Sequence, residues 1–263
     1  MSDTKDLAAT TVVQRANAEG PKKAAPAPLK TLRLLDEIGR GGMGVVYRAE
    51  QGDLERTIAF KELIATSDAV LRERFVREAR ITAQLDHPNV VPVHSIEIGQ
   101  DGTFGIAMKL VDGKTLKTLQ NETIAAYEKG ERIDTTHSLE GRLEIFLKIC
   151  DALAFAHAKG ILHRDLKPAN VMIGRFGEVY VMDWGIARAA GAHAPEPAST
   201  TSDEASPELT RDGDIIGSPM YMSPEQAAGR HDKLDERSDE YALGLILFEI
   251  VCLQRAIRPK NLI

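Results

Sequence analysis

Cysteine is scarce: Cys150 and Cys252 are the two in 263 residues, and both sit inside apolar helical patterns. With no CxxC and no Cys/His cluster, a disulfide-stapled secreted scaffold and a thiolate-held metal are excluded, and a reducing cytoplasm is the expected setting. Long apolar runs are missing as well. The longest, residues 241–253, contains Glu249 and falls short of the ~20 residues that span a bilayer, so it predicts a buried core helix. The N-terminal MSDTKDLAAT carries no basic patch followed by an apolar stretch, which excludes a secretory signal, and membrane contact is not encoded in this chain. Excess positive charge is absent too. Thirty-nine acidic residues outweigh 33 basic ones, the net charge is -6 and the pI is near 5.7, so no nucleic acid or anionic membrane is expected as a partner.

What is present is the composition of a globular protein, 43% hydrophobic and 27% charged, in a chain long enough for one or two domains or one bilobal unit. Residues 1–30 end in GPKKAAPAPLK and cannot bury enough apolar surface to fold, which predicts a flexible arm. From Leu32 to Ile98, short apolar runs broken by glycines predict a small sheet. One amphipathic helix interrupts it near residues 69–84, with Val70, Phe75, Val76, Ala79 and Leu85 on or near one face. Residues 104–111 are a further strand candidate, and a linker is expected near residues 108–113. The remainder reads as mainly helical. Residues 139–159 carry helical spacing and close at Gly160, and residues 239–254 are apolar nearly all round, as a helix in the middle of a larger lobe would be. Residues 191–214 hold six acidic residues, one arginine, three prolines and six hydroxyl side chains, which predicts a disordered, solvated insert.

The first motif is Gly39-Arg40-Gly41-Gly42-Met43-Gly44-Val45-Val46. A lone GxGxxG is weak, because glycines also make ordinary hairpins. A dinucleotide fingerprint should open into a helix, yet Val45-Val46-Tyr47-Arg48-Ala49 is β-rich, so the glycines read as a hairpin tip that could lie over phosphates. Next, Ile58-Ala59-Phe60-Lys61 brings a lysine out of an apolar strand, and Glu78 follows on the helix 17 residues later. Separately they are ordinary solvated charges. As a pair they could meet across the sheet–helix gap, the lysine holding α- and β-phosphates and the glutamate holding the lysine.

The strongest signal is Ile161-Leu162-His163-Arg164-Asp165-Leu166-Lys167-Pro168-Ala169-Asn170-Val171, with Asp183-Trp184-Gly185 following. Here the chain resembles the eukaryotic-type (Hanks-type) serine/threonine protein kinase family, whose catalytic loop reads HRDxxxxN and whose metal motif reads DFG. Residues 220–225 and Ser238-Asp239-Glu240-Tyr241 resemble its bacterial branch. The resemblance runs in order from Leu32 to the chain end. It implies an α+β, protein-kinase-like bilobal fold, with a β-rich N-lobe bearing one helix at 31–108. A mainly helical C-lobe would occupy 109–263, incomplete at its C-terminal end because the family normally continues for about three more helices.

Phosphoryl transfer asks a protein to align an oxygen nucleophile with phosphorus and to neutralise charge on phosphate oxygens. The resemblance assigns those tasks with ATP and Mg2+ as the bound groups. Asp165 would orient the substrate hydroxyl, Asn170 and Asp183 would hold Mg2+, and Lys167 would reach the γ-phosphate, a lysine typical of serine- and threonine-directed members. Lys61 and Glu78 complete the catalytic set. Ile38, Gly39, Arg40, Gly41, Gly42, Met43 and Gly44 would cover the nucleotide. Backbone groups from Lys109 to Val111 would grip the adenine, with Val46 and Ala59 above it and Met108 behind. Asp239 would brace the catalytic loop, and Ser218, within Gly217 to Glu225, would contact Asp165 and Lys167.

Regulation by a phosphate met by Arg164 is expected, with Ser199, Thr200, Thr201, Ser202, Ser206 and Thr210 as autophosphorylation candidates; a merely disordered surface loop is the bland alternative. Trp184 replaces the usual phenylalanine, Ser223 the usual alanine, and Lys109 a position where an acidic residue is common. The incomplete C-lobe would leave the apolar face of the last helix partly uncovered. Two other functions compete with the kinase: an inactive ATP-binding or scaffolding pseudokinase module, and a small-molecule phosphotransferase. The second is disfavoured because residues 217–225 are the part that seats a peptide. The resemblance also allows a homodimer through the N-lobes.

Overall fold

A computed structural model describes residues 32–41, 44–52, 54–64, 69–98, 104–184, 188–189 and 219–257. The expected arm at 1–30, the insert at 191–214, Gly42, Met43, Gly185, Gly217, Ser218 and residues 258–263 lie outside the described residues.

Strands β1 (Leu32–Arg40), β2 (Gly44–Gln51) and β3 (Arg56–Leu63) lead into helix α1 (Ala69–Gln84), followed by β4 (Val93–Ile98) and β5 (Phe104–Met108). They form one antiparallel sheet in the order β1-β2-β3-β5-β4. The period of two along β3 decides what each face does. Ile58 and Phe60 pack with Ala49 and Ala107 on one side, while Ala59 and Lys61 line the cleft on the other. Leu63, on the same side as Lys61, joins Phe75, Ala79, Phe104 and Ile106, so α1 is fastened to the sheet by apolar contact. Phe75 meets Phe104 edge to face with ring centroids 5.9 Å apart. The helix matches its predicted span, and the strand expected at 104–111 ends at Met108.

The helical lobe begins with β6 (Gly113–Thr115) and continues through α2 (Leu116–Lys129), α3 (Leu139–Ala158), β7 (Ile161–Leu162), β8 (Val171–Gly174), β9 (Val179–Val181) and β10 (Arg188–Ala189) to α4 (Pro224–Ala227) and α5 (Glu236–Cys252). Its helices start on side-chain caps: Thr115 accepts from the Thr118 N–H, Ser138 from Gly141, and Asp235 from Arg237. Leu116, Leu119, Ile145, Ile149, Leu153, Trp184, Ile246 and Ile250 make the core between α2, α3 and α5.

Helix α5 is apolar nearly all round in sequence but is not buried all round. Ala242, Ile246, Glu249 and Ile250 face the core, whereas Tyr241, Phe248 and Val251 are 36%, 44% and 48% exposed. Helix α3 packs on one side of α5, and the turn at residues 219–221 also touches it. The buried Glu249 carboxylate accepts hydrogen bonds from the Tyr221 hydroxyl at 2.8 and 3.0 Å.

Residues 89–91 stitch the lobes together behind the cleft. Val90 forms a parallel bridge with Val181, the Val181 N–H donates to Asn89 O at 2.8 Å, and the Asn89 amide donates to Val179 O at 3.0 Å. Among the described residues no helix is long and apolar enough to cross a membrane.

Candidate active site

The sheet and the helical lobe enclose a cavity of about 650 Å³, within the range that holds a small-molecule ligand. Ile38, Gly39, Arg40, Gly41, Gly44 and Val46 of the β1–β2 hairpin form its roof, with Ala59 and Lys61 of β3. Met108, Lys109 and Val111 line the back, and Asp165, Lys167, Asn170 and Asp183 the floor. The hairpin tip closes through Gly41 N–H to Gly44 O at 2.9 Å. A Cβ at Gly44 would sit 2.4 Å from Glu62 O, so β2 approaches β3 here as only glycine permits.

Lys61 is where roof, helix and floor meet. Its ammonium donates to Glu78 Oε1 at 2.7 Å and to Asp183 Oδ1 at 3.2 Å. Burial works against the charge on Lys61, but the Asp183 and Glu78 carboxylates outweigh it and raise its pKa above the ordinary lysine value. Glu78 is itself only 7% exposed, so it would be a costly orphan without the lysine.

The floor is held from below by Asp239, 1% exposed at the start of α5. Its Oδ2 accepts from the His163 N–H and its Oδ1 from the Arg164 N–H, each at 2.8 Å; His157 Nε2 lies 2.8 Å from Oδ2. Burial alone would push this carboxyl up, yet the His157 contact and the two backbone N–H donors hold it below the usual aspartate value. His163 accepts the Asp165 N–H on Nδ1 at 3.3 Å, which places its proton on Nε2, donated to Met182 O at 3.0 Å. Its ring lies 4.6 Å from that of the fully buried Trp184, which occupies the core against which Ile81 of α1 packs.

Asp165 faces the cavity with its carboxylate 2.7 Å from Lys167 Nζ. The Asn170 amide donates to Asp165 O at 2.9 Å and to Asp165 Oδ2 at 3.2 Å. That leaves the Asn170 carbonyl oxygen as an acceptor, while Asp183, at φ 58, presents a half-exposed carboxylate nearby in the same cavity. Among the described residues no group of three His, Cys, Asp or Glu side chains can hold a metal. Two oxygen donors suit Mg2+ nonetheless, because that ion keeps several waters and takes the rest of its shell from phosphate.

Sequence reasoning missed several lining residues: Thr82, Thr115, Ala169, Met172 and Met182. Only their place next to motif residues could have suggested them. Lys109 also behaves differently from a generic linker residue. Its N–H is already bonded to Pro92 O at 3.0 Å, so its backbone can offer a ligand only the carbonyl. Its ammonium donates to the Tyr180 hydroxyl at 2.5 Å.

The chain matches the model of the protein kinase domain over residues 32–261. It belongs to the protein kinase family. The kinase domain is 36% identical over 241 residues to a serine/threonine-protein kinase, PknD, of Protochlamydia amoebophila, and 37% identical over 245 residues to PknD of Chlamydia trachomatis serovar D. These alignments cover 88% and 89% of the chain but 24% and 26% of the relatives, so the chain spans about a quarter of their length. Among solved structures, the Mycobacterium tuberculosis PknI kinase domain matches with a TM-score of 0.58 and 26% identity, over 89% of this chain and 80% of that one. The fold is thus the bilobal protein-kinase fold, a β-rich lobe over a helical one.

Proposed function

We propose that this chain transfers the terminal phosphoryl group of ATP to serine or threonine hydroxyls of a protein. The observation that carries the reading is the position of Lys61, bonded to Glu78 above and Asp183 below in the cavity that also holds Asp165, Lys167 and Asn170. Three charged residues far apart in sequence converge where phosphates would lie, with an acceptor carboxylate beside them.

In this reading Lys61 neutralises phosphate oxygens and Glu78 keeps its ammonium in place. Asp165 accepts a hydrogen bond from the incoming hydroxyl and aligns its oxygen, and Lys167 balances charge between Asp165 and the transferred group. Asn170 and Asp183 hold Mg2+, which supplies positive charge to the phosphate oxygens when bound. Met108, Val46 and Ala59 exclude water from the adenine end. The lysine within Asp165-Leu166-Lys167-Pro168 supports serine or threonine over tyrosine, and the scarcity of cysteine in the sequence supports a cytoplasmic setting. The same reading includes phosphorylation within residues 199–210 and pairing of two chains through the β-rich lobe.

The test is transfer of labelled γ-phosphate from Mg-ATP to the protein itself and to a basic protein substrate. The wild-type chain is expected to transfer label and the Asp165→Asn variant to lose it. A folded wild type that binds ATP and transfers none would instead favour a scaffolding module.

A further inference from the structure

We infer that Gln226 is a positioning residue for Asp165, linking helix α4 to the catalytic loop through the Arg164–Asp165 peptide. The inference rests on the proposed phosphoryl transfer for its kinetic consequence, though not for its structural one.

Arg164 has φ 67, a left-handed conformation that a residue with a long side chain holds only where its surroundings impose it. The imposed contacts are visible at both of its backbone ends. The Arg164 N–H donates to Asp239 Oδ1 on α5, and the Arg164 carbonyl accepts from Gln226 Nε2 on α4 at 2.7 Å. That carbonyl belongs to the same rigid peptide plane as the Asp165 N–H, which donates to His163 Nδ1. The plane that carries Asp165 is therefore pinned at its oxygen by Gln226 and at its nitrogen by His163. Gln226 itself lines no part of the nucleotide cavity.

The orientation of the Gln226 amide is fixed by its other end. Its Oε1 accepts the Ser223 N–H at 3.0 Å, and its own N–H donates to Ser223 Oγ at 3.4 Å, a capping box at the start of α4. Flipping the amide would set nitrogen against the Ser223 N–H and oxygen against the Arg164 carbonyl, two repulsions at once. The same short helix is tied to α5 through Ser238 Oγ donating to Glu225 Oε1 at 2.6 Å. Gln226 of α4 thus braces the loop from one side while Asp239 braces it from the other, and Glu225 ties α4 to the helix that carries Asp239.

Gln226→Glu separates the two jobs of this side chain. A carboxylate still accepts the Ser223 N–H, so the cap survives, but it cannot donate to the Arg164 carbonyl and repels it. Hydrogen exchange of the loop peptide spanning residues 161–170 is expected to quicken about tenfold, with α3 and α5 peptides and the thermal midpoint unchanged. The turnover number should fall about tenfold with the KM for ATP held, because no nucleotide-lining group is altered. Gln226→Met removes donor and acceptor together and should exchange and slow at least as much. Wild-type loop exchange in either variant overturns the inference, as does a loss of turnover accompanied by an equal loss of thermal stability and ATP affinity. Should the wild type transfer no phosphate, the proposed reaction fails, while the exchange data still decide whether Gln226 holds the loop.

Discussion

The ammonium of Lys61 lies 3.2 Å from Asp183 Oδ1, although the two residues stand 122 positions apart in the chain. The contact joins a strand of the roof to the floor, while the same ammonium holds Glu78 of α1 at 2.7 Å. One cation therefore balances two carboxylates, and removing it has separable effects on chemistry and on stability.

Lys61→Met is expected to abolish phosphoryl transfer and to destabilise the fold by about 1–3 kcal/mol, the cost of leaving Glu78 desolvated and unpaired. Adding Glu78→Gln should restore most of the stability and none of the activity. Denaturant titration of the single and double variants checks the first claim, and phosphate transfer the second. A single variant as stable as wild type would mean that the pair carries no structural weight.

Asp239→Asn replaces one acceptor oxygen with an NH2 group beside two backbone N–H donors. A loss of about 2–4 kcal/mol is expected near neutral pH. The native carboxyl titrates below the ordinary value of 3.8, so its contribution is complete above that value and fades as pH falls through the lower native one. The stability gap between wild type and variant should therefore narrow in strong acid. Urea midpoints in neutral and acidic buffer measure it, and a gap that widens would contradict the charged form of Asp239.

Glu249 has the opposite sign. Burial raises its carboxyl above the ordinary 4.5, against the hydrogen bond from Tyr221, so the folded protein binds a proton there that the unfolded chain releases. Its contribution is greatest below 4.5 and declines as pH rises through the higher native value. Glu249→Gln, which keeps an acceptor for Tyr221, should gain thermal stability relative to wild type as pH rises from acid to neutral. Parallel melting curves across that range would refute the raised value.

Gly44→Ala puts a methyl group against Glu62 O and must part β2 from β3 at the hairpin tip. The displacement falls on the roof, so the KM for ATP should rise about tenfold or more while the thermal midpoint moves little. Nucleotide titration of the variant is the direct check.

The sequence was most informative where periodicity or a contiguous motif carried the signal. Helices α1 and α3 lay within a residue or so of their expected spans because their apolar residues recur every three or four positions. The catalytic loop was recognisable because its residues are adjacent. By contrast, β6, β8 and β9 are three or four residues long, too short for alternation to register. The partial exposure of α5 was equally hidden in its own pattern, since an all-apolar helix reads as buried whatever packs beside it. Apart from that of Asp239, the contacts made by one side chain on a distant backbone left no trace. Asn89 on Val179 O and Gln226 on Arg164 O bridge 90 and 62 positions, and neither residue type is unusual where it stands.

The β1–β5 sheet is attached to the helical lobe at its inner margin by the covalent passage through residues 109–112 and by the stitch at residues 89–91, and across the cleft by the Lys61–Asp183 contact. A slab pinned most firmly along one edge tilts about that edge more readily than it slides, and the Lys61–Asp183 contact is what such a tilt would stretch. In the strand order β1-β2-β3-β5-β4 the pins adjoin β4 and β5, and the glycine tip sits on β1 and β2, furthest from the axis. A small tilt leaves Met108 almost still and carries Gly41 through the longest arc. The cavity is thereby built with a fixed jaw at its inner end and an adjustable one at its mouth.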